Sequence, residues 1–116
     1  MLALPPPRTT GNVSLEQTLA RRRSIRQFSN QELTQQEIGQ LLWAAQGITD
    51  PNRGFRTAPS AGATFPLETY LATSNGLFRY RPREHALEKI RDGDIRSRLA
   101  EVCLGQSFIA RAPATL

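Results

Sequence analysis

Asn75-Gly76 commits the middle of the chain to a β-hairpin. A type I′ turn needs positive φ at both central residues, and Asn-Gly adopts it at little cost. Leu67 to Thr73 reads as the outgoing strand, and Leu77 to Arg81 as the return, closed by Pro82. An isolated hairpin is marginal as the sole sheet of a domain, so other elements must cover it.

Those elements read as helices. Ser14-Leu-Glu-Gln17 matches a capping box and starts a helix from Leu15 to about Arg22, with Leu15 and Leu19 facing inward. Thr34-Gln-Gln-Glu37 is a second capping box, and Leu33 with Ile38 fits a hydrophobic staple. Ile38, Leu41, Leu42 and Ala45 then form one apolar stripe that stops at Gly47, with Trp43 off the stripe. Residues 49–64 read as one long loop, a length that is uncommon without a function. A short helix over Glu84–Ile90 is expected next. A longer one from Ile95 to Leu104, capped by Asp94, and a helical turn over Gln106–Arg111 follow. Ala112 to Leu116 has the pattern of a strand just beginning. The fold class is therefore α+β, with helices packed on one complete hairpin and the remaining sheet strands missing. Residues 1–13 form an extended, Pro-rich lead-in to a domain over 14–116.

Composition excludes several classes. No apolar run approaches the roughly 20 residues a membrane helix needs. Met1-Leu-Ala-Leu is too short for the apolar core of a signal peptide and runs into Pro5-Pro6-Pro7. Cys103 is the only cysteine and His85 the only histidine, so neither an internal disulfide nor a Cys/His metal site is expected. A reducing, cytoplasmic setting follows from the cysteine usage. Cys103 reads as an inert thiol on a helix, and His85 as a surface residue at a helix start.

Of 15 basic residues only Lys89 is lysine, and the net charge is +5. Arginine suits bidentate contact with phosphate or carboxylate, although a codon preference would give the same bias. The basic residues are spread along the chain, and only Phe78-Arg79-Tyr80-Arg81 interleaves them with aromatics. That is a thin basis for nucleic-acid binding, which stays a third alternative.

Two segments carry candidate chemistry. Arg21-Arg22-Arg23-Ser24-Ile25-Arg26 places four cations and a hydroxyl within six residues. A phosphate would neutralise them; a helix end that favours cations would also account for them. Pro59-Ser60-Ala61-Gly62-Ala63 has side chains small enough for a ligand to approach the backbone, and could equally be a plain surface loop.

In order along the chain, these stretches resemble the flavin-dependent nitroreductase superfamily, in particular its azoline dehydrogenase branch of the SagB or thiazole-oxidase type. The resemblance is carried by Gly11–Glu16, Arg21–Phe28, Leu41–Thr49 and Arg56–Glu68, then by the hairpin, His85-Ala-Leu87, Gly105-Gln106 and Ala112-Pro113. It implies a nitroreductase-like fold that binds FMN at a homodimer interface. Arg22, Arg23, Ser24 and Arg26 of one subunit would hold the phosphate, ribityl and pyrimidine edge. Pro59, Ser60, Ala61, Gly62 and Ala63 of the other would lie against the same flavin. The implied reaction is hydride transfer through flavin N5, with an azoline ring in a modified peptide as one candidate substrate. Proteins of that branch are longer, and a Lys-Tyr pair linked to azoline oxidation has no counterpart here. The resemblance therefore implies the N-terminal portion of a flavoprotein. The alternative is a truncated, non-catalytic remnant or partner-dependent subunit.

Overall fold

Around the hairpin at Ser74-Asn75 the protein builds a larger sheet than one hairpin, as a computed structural model describing residues 1–116 shows. In chain order the elements are β1 (Leu2–Ala3), α1 (Leu15–Arg21), α2 (Gln35–Gln46), β2 (Ile48–Asp50) and β3 (Phe55–Arg56). A 3-10 turn over Ala61–Ala63 is followed by β4 (Tyr70–Thr73), β5 (Gly76–Arg81) and β6 (Ala86–Arg91). The chain continues with α3 (Arg96–Val102), α4 (Ser107–Arg111) and β7 (Ala114–Thr115). β1, β6, β5, β4 and β7 lie in that order in an antiparallel sheet, and β2 pairs with β3 separately.

Three sequence expectations are corrected here. Glu84–Ile90 is not a helix. Pro82 to His85 makes a tight turn in which His85 takes φ 44°, and Ala86–Arg91 returns as β6. Ala, Leu, Glu and Lys favour a helix locally, but β6 has strand partners on both sides, β5 and β1, and that pairing overrides propensity. The sheet is therefore five-stranded rather than a lone hairpin, because β6 and the short strands at each end extend it. Within the 49–64 loop, Ile48↔Arg56 and Asp50↔Phe55 pair, so part of that loop is a small ribbon.

The expected type I′ turn at Asn75-Gly76 is also corrected: Thr73 pairs with Gly76, so the chain turns at Ser74-Asn75, Asn75 has no positive φ, and Gly76 opens the returning strand. Gly76 has φ 138°, and a Cβ there would lie 2.4 Å from the Arg91 carbonyl oxygen. The strand before it is shorter than expected, beginning at Tyr70 rather than Leu67.

α2 covers one face of the sheet. Leu4, Leu42, Leu71, Tyr80 and Leu87 form the core, with Ile38, Phe78 and Ala114 packed against them. Phe78 and Tyr80 alternate along β5 and so share a face. The buried line on α2 runs Ile38, Leu42, Gln46 at four-residue spacing, and Leu41 is exposed. Both halves of the second capping box form: Thr34 Oγ1 accepts from the Glu37 N–H at 3.2 Å, and Glu37 accepts from the Thr34 N–H at 2.8 Å. Thr34→Ala is expected to cost about 1 kcal/mol of stability, read as a lower urea midpoint at unchanged slope.

The lead-in is bound as far as Arg8. Leu4 N–H donates to the His85 carbonyl at 3.0 Å, Gln36 donates to the Pro6 carbonyl at 3.1 Å, and Gln40 exchanges bonds with both backbone groups of Arg8. From Arg8 to Glu32 every residue is exposed. Leu15 and Leu19 therefore do not face inward, because no element of the chain lies over α1. This arm helps to raise the radius of gyration to 15.2 Å, above the about 13 Å of a compact chain of this length. No helix is long and apolar enough to cross a membrane.

Candidate functional site

α1 ends where the arginines begin. Arg22 is its C-cap, and Arg23 turns back so that its Nη1 donates to the carbonyls of Ala20 at 3.1 Å and Arg22 at 2.7 Å. Arg23 thus satisfies helix-end carbonyls, the simpler of its two readings. Arg22 and Ser24 are exposed, and their side chains make no hydrogen bond within the chain. Arg26 lies over the Phe108 ring of α4, 5.5 Å from its centroid. None of these arginines forms an ion pair. No carboxylate of the chain neutralises them.

The Pro59–Ala63 segment is a turn with left-handed backbone at Gly62 (φ 62°) and Ala63 (φ 52°), and Phe65 follows at φ 45°. For the two non-glycine residues this costs roughly 1–3 kcal/mol each unless the surroundings hold them. Ser60 does part of that work: its Oγ accepts the Phe65 N–H at 2.9 Å, and its carbonyl accepts the Ala63 N–H at 3.0 Å. Ala61, Gly62 and Ala63 are exposed. A cavity of about 240 Å³ lies beside the turn, lined by Gln46, Pro59, Ser60, Ala61 and Phe65 among others. Within one protomer no hydrogen bond, ion pair or cation–π contact joins this turn to Arg22–Arg26.

Three polar residues near the turn escaped sequence reasoning. Gln46 is buried on the core side of α2, and a polar residue continuing the Ile38–Leu42 line was the available signal. Arg56 donates from Nη1 to Gln46 Oε1 at 3.1 Å and lies over the Phe65 ring at 5.1 Å. Tyr80 is buried, and its hydroxyl meets His85 Nδ1 at 2.9 Å, while His85 Nε2 meets the Pro5 carbonyl at 2.9 Å. A carbonyl only accepts, so Nε2 carries the ring proton and Nδ1 accepts from the Tyr80 hydroxyl. His85 is therefore no surface residue. It ties the lead-in to the core.

Burial pushes the Tyr80 phenol up to about 12, with the Arg56 charge pulling the other way. The folded value lies above the unfolded one, so this group's contribution is intact below pH 10.0 and is lost as pH rises to about 12. The loss is expected to reach about 1.4 kcal/mol per pH unit at most. Urea midpoints across that window should fall more steeply for the native chain than for Tyr80→Phe; parallel profiles would contradict the assignment.

Two exposed-side ion pairs frame the hairpin and the start of α3. Arg79 Nε lies 2.7 Å from Glu68 Oε2, and its hydrogen bond holds that carboxyl below the usual range. Arg96 does the same for Asp94 at 2.6 Å, while Asp94 accepts the Arg96 N–H at 3.0 Å. Asp94 thus serves the start of α3 as expected, although Ile95 holds the capping position.

Comparison with known proteins places these features in a family. The family model described as "Nitroreductase family" matches residues 19–116. A provisionally named nitroreductase of Methanocaldococcus jannaschii is 42% identical over 110 residues, covering 90% of this chain and 55% of that protein. The trifolitoxin operon protein TfxC of Rhizobium leguminosarum bv. trifolii is 28% identical over 109 residues, covering 77% of this chain and 31% of its own. Among solved structures, a provisionally named nitroreductase from Ralstonia eutropha JMP134 superposes with a TM-score of 0.79 at 41% identity. That match covers 83% of this chain and 46% of the solved one. The chain spans about half the length of the M. jannaschii and R. eutropha proteins, and less of TfxC.

Proposed function

The chain belongs to the nitroreductase family and has its α+β fold, and on that premise we propose that it carries the flavin-cradling portion of an FMN-dependent oxidoreductase. The observation that carries this reading is the pairing of unneutralised arginines with an open, small-residue turn. Arg22 and Arg26 have no carboxylate partner, which suits the dianionic phosphate of FMN. Ser24 adds an uncommitted hydroxyl beside them. Ala61, Gly62 and Ala63 present backbone without bulk, which suits contact with an isoalloxazine face. When bound, FMN supplies hydride transfer through N5; the chain's own groups bind, orient and charge-balance it.

The absence of any bond joining the two segments within the chain supports a site shared between two copies. The exposed arm supports it too, since Leu15, Leu19 and Ile25 are 69%, 64% and 68% exposed and need a covering surface. An azoline ring in a modified peptide is the proposed substrate.

The test is to purify the chain, look for flavin absorbance and titrate it with FMN. A colourless protein without FMN affinity would sink the reading. With FMN bound, an azoline-bearing peptide should lose two hydrogens from the ring. The bare arm also favours a second reading, a partner-dependent subunit without turnover. A compact monomer that melts cooperatively would count against it.

A further inference from the structure

We propose that Arg56 is the positioning residue of the Pro59–Ala63 turn, acting through Phe65 and Gln46. Only the functional consequence rests on the flavin reading; the pinning itself does not.

The turn contains two non-glycine residues in the left-handed region, Ala63 and Phe65, and its own hydrogen bonds run between residues 60 and 65. Bonds of that kind shape the turn without fixing it to the body. Upstream, Thr57 provides an anchor: its N–H donates to the Gly47 carbonyl at 2.9 Å and its Oγ1 to the Trp43 carbonyl at 3.1 Å. Downstream, the corresponding tie is the Arg56 guanidinium. It lies 5.1 Å from the Phe65 ring centroid and donates to the side chain of Gln46 at 3.1 Å. Gln46 is the last residue of α2, on the helix that packs against the sheet. One side chain therefore links the covering helix, the β2–β3 ribbon and the residue that closes the turn.

The choice of arginine is informative. Its Nε is buried and has no hydrogen-bond partner within the chain, a cost that leucine or methionine would avoid in the same space. What a cationic side chain offers in return is a charge for an aromatic face together with an N–H for a carboxamide. By occupying Gln46 Oε1 it also sets which way that carboxamide points, on the wall of the cavity shared with Pro59, Ser60 and Ala61.

The experiment follows backbone amide signals of the whole chain by NMR and compares Arg56→Ala, Arg56→Lys and the native residue. In Arg56→Ala the signals of Gly62, Ala63 and Phe65 should shift and the Phe65 N–H should exchange about tenfold faster, while those of Leu71 and Leu87 stay in place. Arg56→Lys keeps a cation and a donor and should restore most of the native positions. FMN affinity should fall about tenfold in the alanine variant and recover in the lysine variant. Unmoved turn signals in Arg56→Ala would overturn the proposal. A native chain without FMN affinity would overturn the flavin reading, while the amide signals would still decide the pinning. If Arg56→Ala does not fold, Phe65→Leu removes the ring face at similar volume, and the same turn signals must move.

Discussion

Leu42→Ala is expected to destabilise the fold by about 3 kcal/mol, the typical loss for a fully buried leucine whose site cannot collapse. Leu42 is 0% exposed and sits among Leu4, Leu71, Tyr80 and Leu87. These neighbours come from the lead-in, two adjacent strands of the hairpin and β6, so no single shift closes the gap. Only 14 of 116 residues are buried, which makes this core a large share of the whole. A domain of this kind holds about 5–15 kcal/mol in total. The urea midpoint should therefore fall by about 1–2 M with the slope retained. A loss below about 1 kcal/mol would mean that α2 is not what secures the sheet.

The elements legible in the sequence were those with local causes. Thr34 and Glu37 cap α2 through bonds spanning three residues, and the hairpin forms within one residue of its expected place, turning at Ser74-Asn75 with the positive φ confined to Gly76. Ser14 caps α1 by its own half of the expected box, accepting the Gln17 N–H at 3.1 Å. Where the cause was distant, reading from the residues failed. Ala86–Arg91 becomes a strand because β1 and β5 flank it, and β1 is drawn from the opposite end of the chain. Leu15 and Leu19 follow a helical spacing correctly, yet nothing in the protomer lies over them. Periodicity identifies an apolar face without saying which chain covers it.

The same division holds at the candidate site. Arg22, Ser24 and Arg26 stood out as a run, and Pro59–Ala63 as a stretch of small residues. Arg56, Gln46 and Phe65 did not stand out, because their association is tertiary and spans up to 19 positions of sequence. Tyr80 and His85 are five residues apart, but they meet only because the Pro82–His85 turn brings β6 back beside β5.

Arg22→Ala combined with Arg26→Ala is expected to lower FMN affinity by about 100-fold, since a hydrogen bond to a charged group contributes about 1.5–3 kcal/mol when buried and less when solvated. The two guanidiniums have no competing carboxylates, so removing them frees no internal ion pair to compensate. Both residues are exposed, so the double variant should lose only the Arg26 contact with the Phe108 ring, about 0.5–1 kcal/mol of stability. Riboflavin, which has the ring system but no phosphate, provides the discriminating control. Its affinity should be nearly the same for both proteins if the arginines meet the phosphate. An equal loss for riboflavin would move them to the pyrimidine edge instead, and no loss for FMN would remove them from the site. Added salt should narrow the gap, because exposed charges are screened beyond about 10 Å at ordinary ionic strength. Arg23→Ala is expected to lose less than either neighbour, since its guanidinium is already committed to the Ala20 and Arg22 carbonyls. That ordering, with Arg23 the weakest of Arg22, Arg23 and Arg26, is what separates a shaped phosphate site from general attraction to a basic run.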